Sequence, residues 1–466
     1  MLFISFNYVK INNMKKNAYN ILIILFCATF FVLALFGIFF FKKDFGKDEN
    51  KMVSYPSLKT FSKSPKAPEN KTIDGIDYLK SNLPIGKFKG EYVSYILGEP
   101  ATFNPYNASD ATSAELSEIM YDGLVMTNPE NGKVIPKLAK SFEVLKDKKT
   151  YIIHLRRGLT WSDGKEITSK DVFFTYHDVI FKGLGEGATK DVMTIDGKLP
   201  SVKIIDKYTV EFKTPKPFAP FLRNLSASIL PEHIFKIPAS KGNASFLTFQ
   251  GVDVDPSKIV YSGPFKLKSY TPSQRVIFER NPNYYMINSL GQKLPYLDRW
   301  VMLIVADTNN ATIKFESGAI DTITIQPNLL NRYRELKKEG DFELYNLGPT
   351  TNTTFITFNL NNRKNKNGKY YVNPIKQKWF QDRSFRTAID WAIDRDDLIL
   401  NVFSGLSSPL YTAEAINSLY INENLAKGHK KDLKKAFSYL SKSGFYLKDG
   451  KLYDKNKNRV EFELLS

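Results

Sequence analysis

The chain has 466 residues, of which 42% are hydrophobic and 14% are aromatic. This length and composition allow a large buried core in two or three domains, and they exclude a largely disordered protein. The net charge of +18 would suit nucleic-acid binding, but the lysines are spread along the chain and interleaved with acids, as in Lys146-Asp147-Lys148-Lys149. The charge therefore indicates a solvated basic surface with some attraction to anionic membranes, and no nucleic-acid partner is expected.

The first element is an unbroken apolar run from Ile21 to Phe41, preceded by Lys10, Lys15 and Lys16. A signal-peptide core spans ~7–15 residues, whereas a membrane span needs ~20. The run therefore predicts an uncleaved transmembrane anchor, with residues 1–20 on the cytoplasmic side. A cleaved signal and a lipid anchor on Cys27 remain open as alternatives.

Residues 42–89 are polar, rich in Lys, Ser, Pro and Asn, and lack sustained periodicity. This composition predicts a linker between the membrane and a folded domain. The folded part then begins with a strand over Glu91–Leu97, a helix over Ser113–Leu124 and a strand over Thr150–Leu155.

Thr168 and Asp171 have the spacing of an N-terminal cap, which predicts a helix over Val172–Phe181. Lys203–Phe212 is predicted to form a hairpin turning at Asp206-Lys207. Further strands are predicted at Val276–Arg280, Arg299–Val305, Phe355–Asn359 and Val460–Leu465, and further helices at Phe385–Val402 and Leu425–Leu440. Strands and helices intermix throughout, which predicts an α/β or α+β fold with more than one lobe.

Several short blocks occur together in a fixed order between about residue 90 and residue 466. They are Glu99-Pro-Ala-Thr-Phe-Asn-Pro105, Ile119-Met-Tyr-Asp-Gly-Leu124, Pro136-Lys-Leu-Ala139, Thr150-Tyr-Ile-Ile-His-Leu-Arg156, Trp161-Ser-Asp-Gly164, Ser262-Gly-Pro-Phe265, Glu279-Arg-Asn-Pro-Asn-Tyr284, Phe315-Glu-Ser-Gly-Ala-Ile-Asp321, Phe358-Asn359, Phe385-Arg-Thr-Ala-Ile389 and Ala392-Ile-Asp-Arg395. In this order they resemble the extracellular solute-binding proteins of peptide-type ABC importers, family 5. Each block also has a structural interpretation; Trp161-Ser-Asp-Gly164, for example, fits a packed aromatic entering a tight turn.

The resemblance implies an α/β, two-lobed periplasmic-binding-protein-like fold of class II with an extra subdomain, preceded here by the N-terminal membrane-spanning helix. Residues 90–345 would form the first lobe, including an inserted subdomain at approximately 120–200, and residues 346–466 the second lobe. Family members continue past the strand predicted at the end of this chain, so the second lobe is expected to be incomplete. The acidic residue that holds a peptide's amino terminus in such proteins has no counterpart here.

The function implied by the resemblance is the capture of oligopeptides outside the cytoplasmic membrane and their delivery to an ABC permease. The protein would be a monomer attached to the cytoplasmic membrane, with its soluble domain facing the periplasmic or extracellular side. The alternatives are a binding protein for an oligosaccharide or another solute, and a membrane-anchored sensor or non-functional truncated paralogue.

The sequence offers little for catalysis or metal binding. It lacks a Gly-x-Ser-x-Gly elbow, a Walker loop and a dinucleotide fingerprint, and adjacent acids such as Asp396-Asp397 do not face a common site on a helix. The histidines are far apart in sequence: His154, His177, His233 and His429. No catalytic residue, metal site or cofactor is therefore predicted, and an enzyme is not expected.

Five polar residues are the candidate ligand contacts. Ser109, Asp110 and Thr112 follow the first strand, at the point where members of the resembled family contact ligand. An equally good interpretation of these three is an N-cap cluster for the next helix. Thr353 and Asn359 are the candidates in the second lobe.

Overall fold

The computed structural model describes residues 2–6, 68–128, 132–348, 353–416, 418 and 421–464. The predicted anchor at residues 21–41 and the alternative lipid site at Cys27 lie outside these ranges. Within the described ranges, no helix combines the length and the apolar composition that crossing a membrane requires.

Strands and helices alternate along the described chain. The strands are Leu2–Phe6, Glu69–Ile73, Ile76–Lys80, Glu91–Leu97, Val125–Thr127, Val134–Pro136, Ala139–Val144, Thr150–Leu155, Ser201–Asp206, Thr209–Lys213, Phe265–Thr271, Arg275–Arg280, Met286–Ile287, Arg299–Val305, Phe342–Asn346, Tyr446–Lys448 and Lys451–Tyr453. The α-helices are Ala111–Met120, Ser169–Phe173, Ala188–Met193, Phe221–Asn224, Glu232–Ser240, Asn243–Thr248, Thr308–Glu316, Leu330–Leu336, Pro374–Gln381, Arg383–Ala392, Arg395–Asn401, Glu423–Ala426 and Leu433–Lys442. A π-helix spans Phe174–Ile180, and single 3₁₀ turns span Pro256–Lys258 and Pro327–Leu329.

A four-stranded central sheet organises the first half of the chain. Its order is Phe265–Thr271, Arg275–Arg280, Arg299–Val305, Glu91–Leu97. The last two strands are parallel and pair along their whole length, while the other contacts are antiparallel. Side chains of the sheet alternate between two cores: Phe278 and Met302 enter the largest one, and Leu303 packs against a second one. Burial of both faces explains why Arg299–Val305 is apolar almost throughout.

The second sheet has the order Ala139–Val144, Thr150–Leu155, Thr209–Lys213, Ser201–Asp206 and is antiparallel. It contributes to the largest core, which also contains Trp161, fully buried at the start of the Asp163-Gly164 turn. Gly164 donates its N–H to the Trp161 carbonyl at 2.9 Å and adopts φ +85°. The packed aromatic and tight turn predicted for this block are confirmed.

A third core lies entirely in the C-terminal part of the described chain. Its buried residues are Val372, Trp379, Phe380, Phe385, Ala388, Ala436, Leu440 and Phe445. The helices Arg383–Ala392 and Leu433–Lys442 pack together on it, and Trp379 Nε1 donates to Asp454 Oδ2 at 2.9 Å.

Two predicted strands are wrong. Residues 353–363 have no regular structure, and Phe355 is 74% exposed. Residues 460–464 likewise form no strand, although Val460 donates to the Leu452 carbonyl at 2.8 Å. A strand requires a neighbour for its N–H and C=O groups, and across 353–360 no main-chain N–H finds a main-chain acceptor within the described residues.

Two long predicted helices are each divided by an aspartate. The pattern over Phe385–Val402 breaks at Asp394, which caps Arg395–Asn401 by accepting from the Asp397 N–H at 3.1 Å. The pattern over Leu425–Leu440 breaks similarly, because Asp432 caps Leu433–Lys442. A carboxylate that can cap offers the backbone an alternative to continuing the helix.

Part of the predicted linker is folded. Glu69–Ile73 and Ile76–Lys80 form an antiparallel hairpin that buries Leu79 and Asp77. Asp77 accepts from the Thr72 hydroxyl at 2.6 Å, from the Lys140 ammonium at 2.9 Å and from the Arg157 N–H at 3.1 Å. The expectation of a linker over 42–89 is therefore corrected for residues 69–80. Leu2–Phe6 pairs antiparallel with Phe342–Asn346.

Candidate functional site

The candidate site lies at the carboxyl end of the parallel strand pair. Glu91–Leu97 and Arg299–Val305 end side by side, and the Gly98 N–H joins them by donating to the Val305 carbonyl at 3.2 Å. Each strand leads into a helix, Ala111–Met120 and Thr308–Glu316 respectively, whose N-terminus starts near this edge. In α/β sheets, ligands bind outside the carboxyl ends of the strands, so this edge is where a ligand is expected.

The loop between the first parallel strand and its helix is fixed by two buried asparagines. Asn104 donates through Nδ2 to the carbonyls of Phe246 and Phe249, both at 3.3 Å, and accepts from the Tyr106 N–H at 3.1 Å. Asn107 donates to the Phe246 carbonyl at 3.0 Å. Both asparagines thus hold the loop against the chain around helix Asn243–Thr248, which explains why the Thr-Phe-Asn-Pro block needs an amide here.

The structure gives the three predicted residues of this loop different surroundings. Ser109 is exposed. Asp110 is the N-cap of Ala111–Met120: one carboxylate oxygen accepts from the Ser113 N–H at 2.7 Å, and the other is buried with no hydrogen-bond partner among the described residues. Thr112 is buried, and its hydroxyl donates to the Leu97 carbonyl at 2.9 Å. The N-cap interpretation therefore holds for Asp110, while Thr112 fastens the helix to the strand.

The two predicted residues of the second lobe lie elsewhere. Thr353 is half-buried and Asn359 is exposed, with Asn359 Oδ1 accepting from the Asn361 N–H at 3.0 Å. No hydrogen bond within the described residues joins either of them to the loop at 109–112.

Sequence reasoning missed a carboxylate at the same edge. Glu99 accepts from the Tyr270 hydroxyl at 2.6 Å and from the Ser273 N–H at 2.5 Å. Burial and the neighbouring Glu99 carboxylate together raise the pKa of Tyr270 to about 12. The tyrosine therefore stays protonated and holds Glu99 in place beside the loop. The only sequence signal for this contact was the position of Glu99 at the head of the first block.

Beneath the edge, three of the sequence blocks converge on the fully buried Asp122. Its carboxylate accepts from the Tyr285 hydroxyl at 2.6 Å, and the Lys137 ammonium lies 2.5 Å from the other oxygen, although not at a hydrogen-bonding angle. The Asp122 N–H donates to the Ser262 hydroxyl at 3.0 Å. Burial, followed by the negative charge of Asp122, raises the pKa of Tyr285 well above its ordinary value.

The glycine of the Ser262-Gly-Pro-Phe265 block is required by close backbone approach. The Gly263 N–H donates to the Met120 carbonyl at 2.8 Å, and a Cβ at this position would lie 2.4 Å from the Ile119 carbonyl oxygen. The blocks that carry the resemblance are thus largely the scaffold under the site, as their structural interpretation predicted.

Comparison with known proteins gives the family. The family model "Bacterial extracellular solute-binding proteins, family 5 Middle" matches residues 133–466. The chain belongs to this family. It is 30% identical over 392 residues to a probable ABC transporter-binding protein of Deinococcus radiodurans, covering 81% of this chain and 64% of that one.

Two further relatives are named as peptide-binding proteins. The oligopeptide-binding protein AppA of Bacillus subtilis is 26% identical over 384 residues, 80% of this chain and 63% of AppA. The dipeptide-binding protein of Escherichia coli is 27% identical over 334 residues, 66% of this chain and 55% of that protein. The chain therefore spans less than two thirds of the length of these relatives.

Solved structures show the same fold. The complex of Bacillus subtilis AppA with a nonapeptide superposes with a TM-score of 0.59 at 26% identity, covering 80% of this chain and 68% of AppA. The periplasmic EDTA-binding protein EppA superposes with a TM-score of 0.62 at 19% identity, covering 81% of this chain and 68% of EppA, and shows the fold alone. These neighbours are two-domain periplasmic binding proteins of mixed α/β content, and the predicted fold class is confirmed to that extent.

Proposed function

We propose that this family-5 protein is the substrate-binding component of an ABC importer, capturing oligopeptides outside the cytoplasmic membrane and delivering them to a permease. The observation that carries the proposal is the likeness to Bacillus subtilis AppA, which shares the fold over 80% of this chain and binds a nonapeptide. The relatives are binding proteins, and a binding role without catalysis is the corresponding proposal for this chain.

The proposed contacts in the first lobe are Ser109 and Asp110, with Thr112 holding the helix that presents them. The buried, unpartnered oxygen of Asp110 is an acceptor that a peptide N–H or ammonium group could satisfy. Because the cap already uses the other oxygen, the carboxylate is fixed in orientation before ligand arrives.

The proposed second lobe, residues 346–466, would contribute main-chain groups as well as Thr353 and Asn359. Within the described residues, the main-chain N–H groups of residues 353–360 have no main-chain acceptor, and an extended peptide pairs with such a segment by adding a strand. Contacts to both lobes would favour a closed arrangement, because a ligand shifts the protein towards the state in which it makes more contacts.

The test is calorimetric titration of the detergent-solubilised full chain with a pool of nonapeptides and, separately, with stachyose. Asp110→Asn keeps the helix cap but removes the charge, since Asn caps as well as Asp. It should weaken peptide binding, as should Ser109→Ala and Asn359→Ala, whereas Asp432→Asn, at the exposed cap of helix Leu433–Lys442, should not. Unchanged affinity in the three site variants refutes the site; heat from stachyose alone refutes the peptide ligand.

The proposed location is the outer face of the cytoplasmic membrane, with the protein held as a monomer by residues 21–41. A span there would separate residues 2–6 from the folded domain, so the pairing of Leu2–Phe6 with Phe342–Asn346 would have to be released in the anchored protein. Recovery of mature protein from the periplasmic or culture fluid, beginning after residue 41, would contradict the anchor.

A further inference from the structure

A concavity lies at the opposite, amino end of the parallel strand pair. It has a volume of about 420 Å³ and is lined by Phe88, Lys89, Arg280, Lys293 and Asp298, among others. These residues precede the strands Glu91–Leu97 and Arg299–Val305 or end the strand Arg275–Arg280. The concavity is therefore separated from the candidate peptide site by the length of the sheet.

Main-chain hydrogen bonds fix the walls of this concavity. The Lys89 N–H donates to the Tyr296 carbonyl at 3.0 Å, the Asp298 N–H to the Gly90 carbonyl at 3.0 Å, and the Arg280 N–H to the Asp298 carbonyl at 2.9 Å. The ring of Phe88 meets that of Tyr296 edge-on, with centroids 4.9 Å apart. The charged side chains thus project from a backbone that is already ordered, which reduces the entropy lost on binding.

The charges around the concavity are unbalanced. Lys89, Lys293 and Arg280 supply three positive charges and Asp298 one negative charge. Within the described residues none of these four side chains forms a hydrogen bond or an ion pair, although Arg299, next to Asp298, pairs with Glu91 at 3.1 Å. The Arg280 guanidinium lies 5.9 Å from the centre of the Phe88 ring, a contact that leaves its N–H groups available.

We propose that this concavity binds an organic phosphate that carries hydroxyl groups. Arg280 presents the planar set of donors that matches phosphate oxygens, and the two ammonium groups add charge, giving a net +2 that suits a phosphate dianion. Asp298 accepts a hydrogen bond from a ligand hydroxyl group, and Phe88 supplies an apolar wall. A volume of 420 Å³ falls in the range of small-molecule sites, which is ~300–1,000 Å³, and leaves room beyond a phosphate for the organic part.

The same chemistry occurs in a free sugar or glycerol phosphate and in the glycerophosphate headgroup of a lipid. The two sources are separated by calorimetry of the detergent-solubilised full chain with glycerol 3-phosphate and with inorganic phosphate, and by flotation with vesicles of phosphatidylglycerol or of phosphatidylcholine. The variants are Arg280→Gln, Lys293→Ala and Asp298→Asn. The matched control is Lys213→Ala, an exposed lysine in the other four-stranded sheet that forms no ion pair with any described residue.

The expected result is saturable binding of glycerol 3-phosphate. A hydrogen bond to a charged group is worth about 1.5–3 kcal/mol, so Arg280→Gln should weaken this binding roughly ten- to a hundredfold. Lys293→Ala should weaken it less, Lys213→Ala should leave it unchanged, and Asp298→Asn should reduce the preference for glycerol 3-phosphate over inorganic phosphate.

Binding that is confined to phosphatidylglycerol vesicles and depends on Arg280 assigns the site to a lipid headgroup; binding of the free compound assigns it to a soluble phosphate. Two results overturn the proposal. One is the absence of saturable binding to every phosphate probe. The other is an equal loss in the Lys213→Ala control, which would make the attraction a general effect of the chain's net charge.

Discussion

Removal of Lys137 should destabilise the protein more than removal of the charge on its partner Asp122. The two side chains form an ion pair, but their surroundings differ: Asp122 is fully buried, whereas the Lys137 side chain is 21% exposed. In Lys137→Met the carboxylate remains in the core with the Tyr285 hydroxyl still donating to it but without its ion-pair partner. An uncompensated buried charge of this kind costs about 3–5 kcal/mol.

In Asp122→Asn the remaining charge is the ammonium of Lys137, which can turn towards water. The cost is then that of a lost hydrogen bond to a charged group, about 1.5–3 kcal/mol. The double variant should be more stable than Lys137→Met alone, since it removes the uncompensated charge at position 122. Asp196→Asn is the control, because Asp196 forms an exposed pair with Lys216 and should change stability by no more than about 1 kcal/mol.

The assay is urea unfolding of the full chain and the four variants, followed by circular dichroism. The free energies of unfolding should fall in the order Asp196→Asn, Asp122→Asn, Lys137→Met, with the double variant above Lys137→Met. A Lys137→Met protein as stable as the Asp196→Asn control would refute the reasoning, because the buried carboxylate would then need no counter-charge.

Three further predictions concern single contacts. Gly263→Ala should lower the melting temperature through a loss of roughly 1–3 kcal/mol, since the new Cβ would lie 2.4 Å from the Ile119 carbonyl oxygen; an unchanged melt would show that the backbone there can move. Thr112→Val should cost roughly 1 kcal/mol in urea unfolding through the lost bond to the Leu97 carbonyl, and a cost of zero would contradict that role. Burial raises the pKa of Asp77, but its hydrogen bonds from a threonine, a lysine and a backbone amide outweigh this effect and lower the pKa below 3.8. The contribution of ionised Asp77 to the free energy of unfolding is therefore complete above pH 3.8, and it is lost as the pH falls through the lowered pKa. Acid titration of Asp77→Asn should therefore show a shallower loss of stability below pH 3.8 than the parent, and parallel curves would disprove the linkage.

The sequence predicted those strands that carry enough apolar side chains of their own to pack against a core. Glu91–Leu97, Thr150–Leu155 and Arg299–Val305 are observed with the predicted bounds, because their apolar side chains face cores on one or both sides. The run at 355–359 has a similar composition, but no strand lies beside it among the described residues. The composition of a segment does not reveal whether another strand is available to pair with it.

The remaining differences concern details of helices and contacts between elements. The helix predicted over Val172–Phe181 begins earlier, at Ser169, and widens into a π-helix at Phe174, where the Phe181 N–H donates to the Tyr176 carbonyl at 2.8 Å. The cap formed by Thr168 was predictable because both of its partners lie within three residues. By contrast, the bonds of Thr112 and Glu99 reach other elements, which a local pattern does not encode.

The irregular segment at 353–360 has a consequence for limited proteolysis. Proteases bind their substrates as extended chains through main-chain hydrogen bonds, and within the described residues no main-chain acceptor engages the N–H groups of this segment. An aromatic-specific protease should therefore cut first after the exposed Phe355. Because the buried residues of the first two cores lie before this point and those of the third lie after it, a single cut would keep the buried residues of each core on one fragment, while Leu406, which packs against the second core, would stay on the other. The stabilities of the two fragments can then be measured separately.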